Sequence, residues 1–215
     1  MVLRCTRVKA VKKCNNRDNL AESLQLNRAR HVRLLMFSSC IKIRNTMITT
    51  GTNPTTILAS VQPKMLSKVT EQLKRFQGIT FFSPVTGRFD LAIELKTADQ
   101  KQVYELVNKV RSTTGITSTS TYPPFEGFAS RKSVQPTDSL ALVLLQVNES
   151  VQRVLQSLQQ QPQVRNAYVV PGEIDILATV YGKNQAEVLS QISKISEVQG
   201  VKSSETLIAY NPNWS

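Results

Sequence analysis

A chain of 215 residues, 40% hydrophobic and 20% charged, has the apolar content of a globular core and the length of one large domain or two small ones. It holds no run of about 18 apolar residues, which excludes a membrane-spanning helix, and Met1 to Asn16 is basic without the apolar centre or cleavage site of a secretory signal. A cytoplasmic protein with no membrane partner is expected. The formal net charge of +12 points first to nucleic acid, but Met1 to Thr46 carries 11 basic against 2 acidic residues while Met47 to Ser215 carries 16 against 13, so most of the excess belongs to one end.

First in chain order is that basic N-terminal extension, residues 1–54, expected to be either a disordered basic arm or a degenerate DNA-binding unit. It contains all three cysteines, Cys5, Cys14 and Cys40, and the single histidine, His31. Structural zinc sites bring ligands in close pairs, about two to four residues apart, and no two of these residues stand so close. Free thiols and no metal are expected, and a disulfide framework is excluded from the rest of the chain. Met47 stands ahead of Ile48 to Pro54 and would serve as the start of a self-contained 169-residue protein.

The remainder is an internal repeat. A gapless shift of 85 residues places Gly87 on Gly172, Asp90 on Asp175, Gly115 on Gly200 and Thr121 on Thr206. Apolar positions stay in phase as well: Val69, Leu73, Val85 and Val103 fall on Val154, Leu158, Val170 and Val188.

Each copy reads as strand, helix, strand, strand, helix, strand. In the first, Thr56 to Gln62 is a β-branched apolar run, and Pro63 suits the opening turn of a helix whose stripe is Met65, Leu66, Val69, Leu73 and Phe76. Ile79 to Val85 and Phe89 to Lys96 are strands joined across Thr86-Gly87. Asp99 is the predicted N-cap of a second helix with Val103, Leu106, Val107 and Val110 on one face, and Ile116 to Tyr122 is the last strand. The second copy repeats this with Leu140 to Val147, a helix marked by Val151, Val154, Leu155 and Leu158, a hairpin at Pro171-Gly172, and Asn184 in the place of Asp99. Pro123 to Asp138, rich in proline and polar residues, has the composition of a linker. The order βαββαβ predicts an α+β fold, a four-stranded antiparallel sheet with both helices on one face, repeated twice in the ferredoxin-like manner. Runs such as Leu142-Val143-Leu144-Leu145 are apolar on both sides, so the second sheet face must also be covered.

Each copy resembles the effector-binding domain of the Lrp/AsnC transcriptional regulators, also called the regulation of amino-acid metabolism domain. The resemblance rests on the hairpins Val85-Thr86-Gly87-Arg88-Phe89-Asp90 and Val170-Pro171-Gly172-Glu173-Ile174-Asp175, which look like the family's G-x-x-D turn, and on Thr114-Gly115-Ile116 and Gln199-Gly200-Val201 leading into the last strands. It implies a first ligand-binding domain at 55–125, a linker at 126–138 and a second domain at 139–215. Because family domains pair face to face through their sheets, it also implies that the two copies form within one chain an α/β sandwich that two subunits form elsewhere. The resemblance further implies an effector site for an amino acid or related metabolite around Gly87, Asp90, Thr121, Gly172, Asp175 and Thr206, with carboxylates for an ammonium and free backbone N–H groups for a carboxylate. The structural alternative for each Gly and Asp is a turn residue bonding turn amides.

Family members carry an N-terminal helix-turn-helix. Asn19 to Asn27 has the rhythm of its second helix and turn, and Arg28, Arg30 and Arg33 would lie on a basic recognition helix. Gln25 replaces the usual glycine, however, and Met1 to Asn16 shows no amphipathic first helix. The expected function is therefore a small-effector binding and oligomerisation module of a transcriptional regulator, acting through self-association or through other Lrp/AsnC-like proteins, with DNA binding lost or supplied by a partner. Two other functions compete with this one. A tandem RNA-binding protein would need exposed aromatics on its central strands, where this chain has Ile, Leu, Val and Ala. A small α+β-barrel enzyme finds no histidine or cysteine beyond residue 46 and no evident acid–base partner for Asp90 or Asp175. No enzymatic activity and no cofactor are expected.

Overall fold

A computed structural model describes residues 54–130, 135 and 137–214. Cys5, Cys14, His31, Cys40, Met47 and the candidate DNA-binding residues Arg28, Arg30 and Arg33 lie outside the described residues. The first repeat runs β1 (Thr55–Val61), α1 (Leu66–Leu73), β2 (Ile79–Pro84), β3 (Leu91–Leu95), α2 (Gln100–Arg111) and β4 (Ile116–Tyr122). After β5 (Glu126–Ala129), the second runs β6 (Ser139–Val147), α3 (Val151–Gln159), β7 (Val164–Val169), β8 (Ile176–Gly182), α4 (Gln185–Ser196) and β9 (Val201–Ala209), and β10 (Asn213–Trp214) follows.

Local chemistry accounts for the helices. The Asp99 carboxylate accepts the Gln102 N–H at 2.8 Å, and Asn184 accepts the Glu187 N–H at 2.9 Å, so both second helices start where a side chain satisfies a free amide. Glu187 in turn accepts the Lys183 N–H at 2.9 Å, which ties the residue ahead of the cap to the first turn. The predicted stripes face inward: Val69, Leu73 and Val110 are buried against the first sheet, and Val154, Leu158 and Ile195 against the second.

The sheets are antiparallel, ordered β10-β2-β3-β1-β4 and β5-β7-β8-β6-β9. Their faces away from the helices pack on each other. Leu58, Phe81 and Ala92 of the first repeat share one core with Leu142, Leu144 and Leu177 of the second. This is the expected sheet-to-sheet sandwich, and it explains why the middle strands are apolar on both sides.

Two strands change partners. β5 follows the first repeat yet pairs with β7 of the second sheet, Phe128 opposite Ala167; β10 follows the second repeat yet pairs with β2 of the first, Asn213 opposite Phe82. The two pairings are related by the same shift of 85 residues, so each repeat lends its final strand to the other's sheet. The segment read as a linker thus carries β5. Backbone bonds seal both corners: Phe125 N–H donates to Val169 O at 2.9 Å, and Tyr210 N–H donates to Pro84 O at 3.0 Å.

One carboxyl is buried between the sheets. Glu94 on β3 is 7% exposed, and burial raises its pKa although the Arg165 guanidinium pulls it down. The Tyr168 phenol beside it is pushed up to about 12, first by burial and then by the Glu94 carboxylate. The Arg165 guanidinium lies 4.3 Å from the centre of the Trp214 ring, which itself packs 4.4 Å from Phe81. A carboxyl with a raised folded-state pKa folds most readily when protonated. Its stabilising share is present below the ordinary value of 4.5 and is lost as pH climbs through the raised value. Glu94→Gln should therefore flatten the stability profile above pH 4.5, as read by chemical denaturation at a series of pH values; an unchanged slope would show that another group sets it.

Candidate functional site

The six residues proposed for effector contact lie at the two hairpins and on the last strand of each repeat. In each hairpin the aspartate is held by its own first strand. Asp90 N–H donates to Ala59 O at 3.0 Å, and its Oδ2 accepts the Val61 N–H at 2.8 Å. Asp175 N–H donates to Leu145 O at 2.9 Å, and its Oδ2 accepts the Val147 N–H at 2.8 Å. Both amides sit at an irregularity of the ladder, between Ser60 and Val61 and between Gln146 and Val147, where the strand pairing slips and frees an N–H. The carboxylates thus pin the hairpins to β1 and β6. Replacing either by alanine strips that N–H of its acceptor, with an expected loss of about 1 kcal/mol, read as a fall in melting midpoint of about 2–4 °C.

The hairpins differ in their surroundings. Gly87, at φ +120°, presses against β9: a Cβ there would lie 2.6 Å from Leu207 Cδ2 and 3.7 Å from Thr206 O. Thr86 stitches the contact, its N–H donating to Ile208 O at 2.9 Å and its Oγ1 accepting the Ile208 N–H at 3.3 Å. In the second hairpin Pro171 stands in place of Thr86 and has no N–H to give, and a Cβ on Gly172, at φ +123°, would meet nothing within 4 Å. The second turn is open where the first is closed.

Thr121 and Thr206 sit opposite Ile57 and Val143 in their sheets, on the faces toward the helices, because their neighbours Tyr122 and Leu207 point into the sandwich. Thr121 Oγ1 is buried without a hydrogen-bond partner. The structure therefore brings each hairpin to the other repeat's last strand, and leaves the two threonine side chains on the reverse faces of those strands.

Charged residues absent from the expected set meet at this end. Arg88 on the first hairpin bridges Glu173 on the second, Nη2 to Oε1 at 3.1 Å, and reaches Glu205 Oε2 with Nε at 2.8 Å. The Tyr122 hydroxyl donates to Glu173 Oε1 at 3.4 Å, and Gln146 Nε2 donates to Glu173 O at 2.9 Å. Hydrogen bonding from Arg88 holds the Glu173 carboxyl below its ordinary range. Burial raises the Tyr122 phenol, and the Glu173 charge raises it further. The sequence did carry a signal for these residues: the shift of 85 places Arg88 on Glu173, one position with opposite charges. An open groove of about 680 Å³, lined by Lys96, Gln102 and Lys109 with neighbours around the start of α2, includes none of the expected site residues.

The family model of the Lrp/AsnC ligand binding domain matches this chain twice, at residues 56–134 and 140–212. The chain belongs to the Lrp/AsnC ligand-binding domain family. No curated protein sequence matches it. Among solved structures, this Lrp/AsnC-type chain is similar to the siroheme decarboxylase NirDL, at 12% identity and a TM-score of 0.56, over 74% of this chain and 72% of that one. It is also similar to a mutant chlorite dismutase from Candidatus Nitrospira defluvii, at 8% identity and a TM-score of 0.51, over 77% and 93% of the two chains. These likenesses extend to the fold.

They correct one expectation. The chain was expected to lack enzymatic activity because residues 47–215 contain no histidine or cysteine, yet structures of this fold include a decarboxylase and a chlorite dismutase. A missing residue type excludes particular ligands and nucleophiles; it does not exclude catalysis from an architecture that enzymes use. Among the described residues, no helix is long and apolar enough to cross a membrane.

Proposed function

We propose that this chain is the effector-sensing and association module of a transcriptional regulatory system of the Lrp/AsnC kind. The effector is a small metabolite of amino-acid type, and the output is association with further copies or with other Lrp/AsnC-like proteins, a partner supplying the contact with DNA. The observation that carries this reading is the double match to a ligand-binding domain, in two copies that each set a hairpin beside the other's last strand. The open second hairpin is the better site, since Gly172 leaves room and Arg88, Glu173 and Glu205 offer both signs of charge beside it. Gly87, Asp90, Asp175, Thr121 and Thr206 then act as the frame that sets the turns and strands. Titration calorimetry against an amino-acid panel tests the proposal. At least one amino acid should bind with Kd below about 1 mM and raise the melting midpoint by linkage; no heat and no shift at millimolar ligand would contradict it.

A further inference from the structure

The helix layers of the two repeats share a fold and differ in charge. In the first repeat the segments that cross the outer face, residues 62–78 and 96–115, carry eight basic and three acidic residues; the equivalent 147–163 and 181–200 carry three of each. Lys64, Lys74, Arg75, Lys96, Lys101 and Arg111 give way to Glu149, Gln159, Gln160, Tyr181, Ala186 and Ser196 in the second repeat. All eight basic residues of the first layer are exposed. Its acids are already engaged: Glu71 pairs with Lys74, Glu105 with Lys101, and Asp99 caps α2. Eight less three makes this face +5, more than the whole net charge of residues 47–215, where 16 basic less 13 acidic residues leave +3.

Packing joins these charges in one surface, because α1 and α2 lie side by side in opposite directions on the first sheet. A Cβ on Gly115, just past α2, would lie 3.0 Å from Met65 and Val69 at the start of α1. At the other end a Cβ on Gly78, just past α1, would lie 3.3 Å from Thr97 Cγ2, ahead of α2. Lys109 Nζ on α2 stands 4.2 Å from the centre of the Phe76 ring that follows α1, and Lys96 and Lys109 line the same open groove.

We propose that the helix layer of the first repeat docks on the phosphate backbone of nucleic acid, held by charge without reading sequence. The twelve residues of α2 span about 18 Å, and each strand of duplex DNA sets one phosphate per about 3.4 Å of axis, so Lys101 to Arg111 reaches along several phosphates. Exposed cations spread along two helices suit a repeating anion of this kind. An anionic membrane surface suits them less. A helix lying on a membrane needs an outward apolar row, whereas Val69, Leu73, Leu106 and Val110 are buried against the sheet and Tyr104 is the one large apolar side chain exposed on the described layer. This contact goes beyond the sensing role: it leaves the reading of sequence to the DNA-binding partner, and it stands or falls independently of effector binding.

The test uses the full chain, so the basic N-terminal extension contributes equally throughout. Binding to a short DNA duplex of arbitrary sequence is followed by fluorescence anisotropy at about 50–200 mM salt. Arg75→Gln, Lys101→Ala and Arg111→Ser together give the first layer the side chains that the second carries at those places, so the melting midpoint should stay within about 3 °C of the parent's. The slope of log affinity against log salt should shrink by about 2–3, the share of three phosphate contacts, and affinity should fall at least about tenfold. Arg153→Gln, Lys183→Gln and Lys194→Gln remove the same charge from the second layer and should leave the slope within about 0.5 of the parent's. A parent that does not bind the duplex would overturn the proposal, and so would equal losses in the two triple variants, the mark of net charge alone. Binding to phosphatidylserine vesicles that the first triple variant loses, while its DNA slope stays unchanged, would overturn it in favour of a membrane surface.

Discussion

Replacing Leu142 and Leu144 together by aspartate should leave the chain without its native fold. Both side chains are 1% exposed and lie in the core shared by the two sheets, beside Leu58 and Leu177. Truncating one such leucine to alanine costs about 2–5 kcal/mol, and an unpaired buried carboxylate costs more than the truncation. Two of them exceed most of the roughly 5–15 kcal/mol that keeps a domain folded. The expected outcome is loss of the cooperative thermal transition and of near-ultraviolet circular dichroism. Leu189→Asp, on the outer face of α4 where the side chain is 48% exposed, should melt within about 2 °C of the parent. A folded, soluble Leu142→Asp, Leu144→Asp protein would mean that the sheets do not cover each other.

Alanine at Gly87 should cost far more than alanine at Gly172, although the two glycines are equivalent in sequence and nearly equal in φ, at +120° and +123°. The backbone strain of a side chain in that region is the same at both, on the order of 1–3 kcal/mol. The difference is contact. A Cβ on Gly87 would lie 2.6 Å from Leu207 Cδ2, and Leu207 is fully buried, so its methyl has nowhere to swing, whereas a Cβ on Gly172 meets open space. Overpacking of this kind adds roughly 1–3 kcal/mol, so Gly87→Ala should melt about 3–9 °C below Gly172→Ala. Equal midpoints would show that the first hairpin does not rest on β9.

Much of this architecture was legible because it is local. Asp99 and Asn184 announced their helices as caps, and Val69, Leu73, Val154 and Leu158 fell at helical spacing. The glycines Gly87 and Gly172 marked the turns, and the 85-residue shift tied the halves together. Contacts between the repeats were harder to read. β10 is only Asn213 and Trp214, too short for any periodicity, and β5 sits among Pro123, Pro124 and Pro136, which read as linker composition. Exchange of these strands depends on where the chain turns at Phe125 and Tyr210, and no pattern of hydrophobicity encodes that. Glu94 lies on the side of β3 that faces the other sheet, and a lone acid within a predicted strand carries no sign of that placement. The expectation of a protein without catalysis failed for a different reason: it rested on residue types, while decarboxylase and dismutase structures share the fold.

At the candidate site, the hairpins and last strands were legible and the roles were not. Asp90 and Asp175 each hold a strand amide through Oδ2, and the charges exposed at that end come instead from Arg88, Glu173 and Glu205. The spacing of residues in one repeat cannot show this, because the groups meet only across the sandwich.

The central claim is that the two repeats close on each other within one chain, and hydrogen exchange at three amides tests it most directly. Thr86, Phe125 and Tyr210 each donate a backbone N–H to the other repeat, to Ile208 O, Val169 O and Pro84 O. In dilute protein these amides should exchange as slowly as those of β1 and β6, through the same global opening, at a rate independent of protein concentration. Fast exchange at all three, or protection that disappears on dilution, would contradict an intramolecular sandwich.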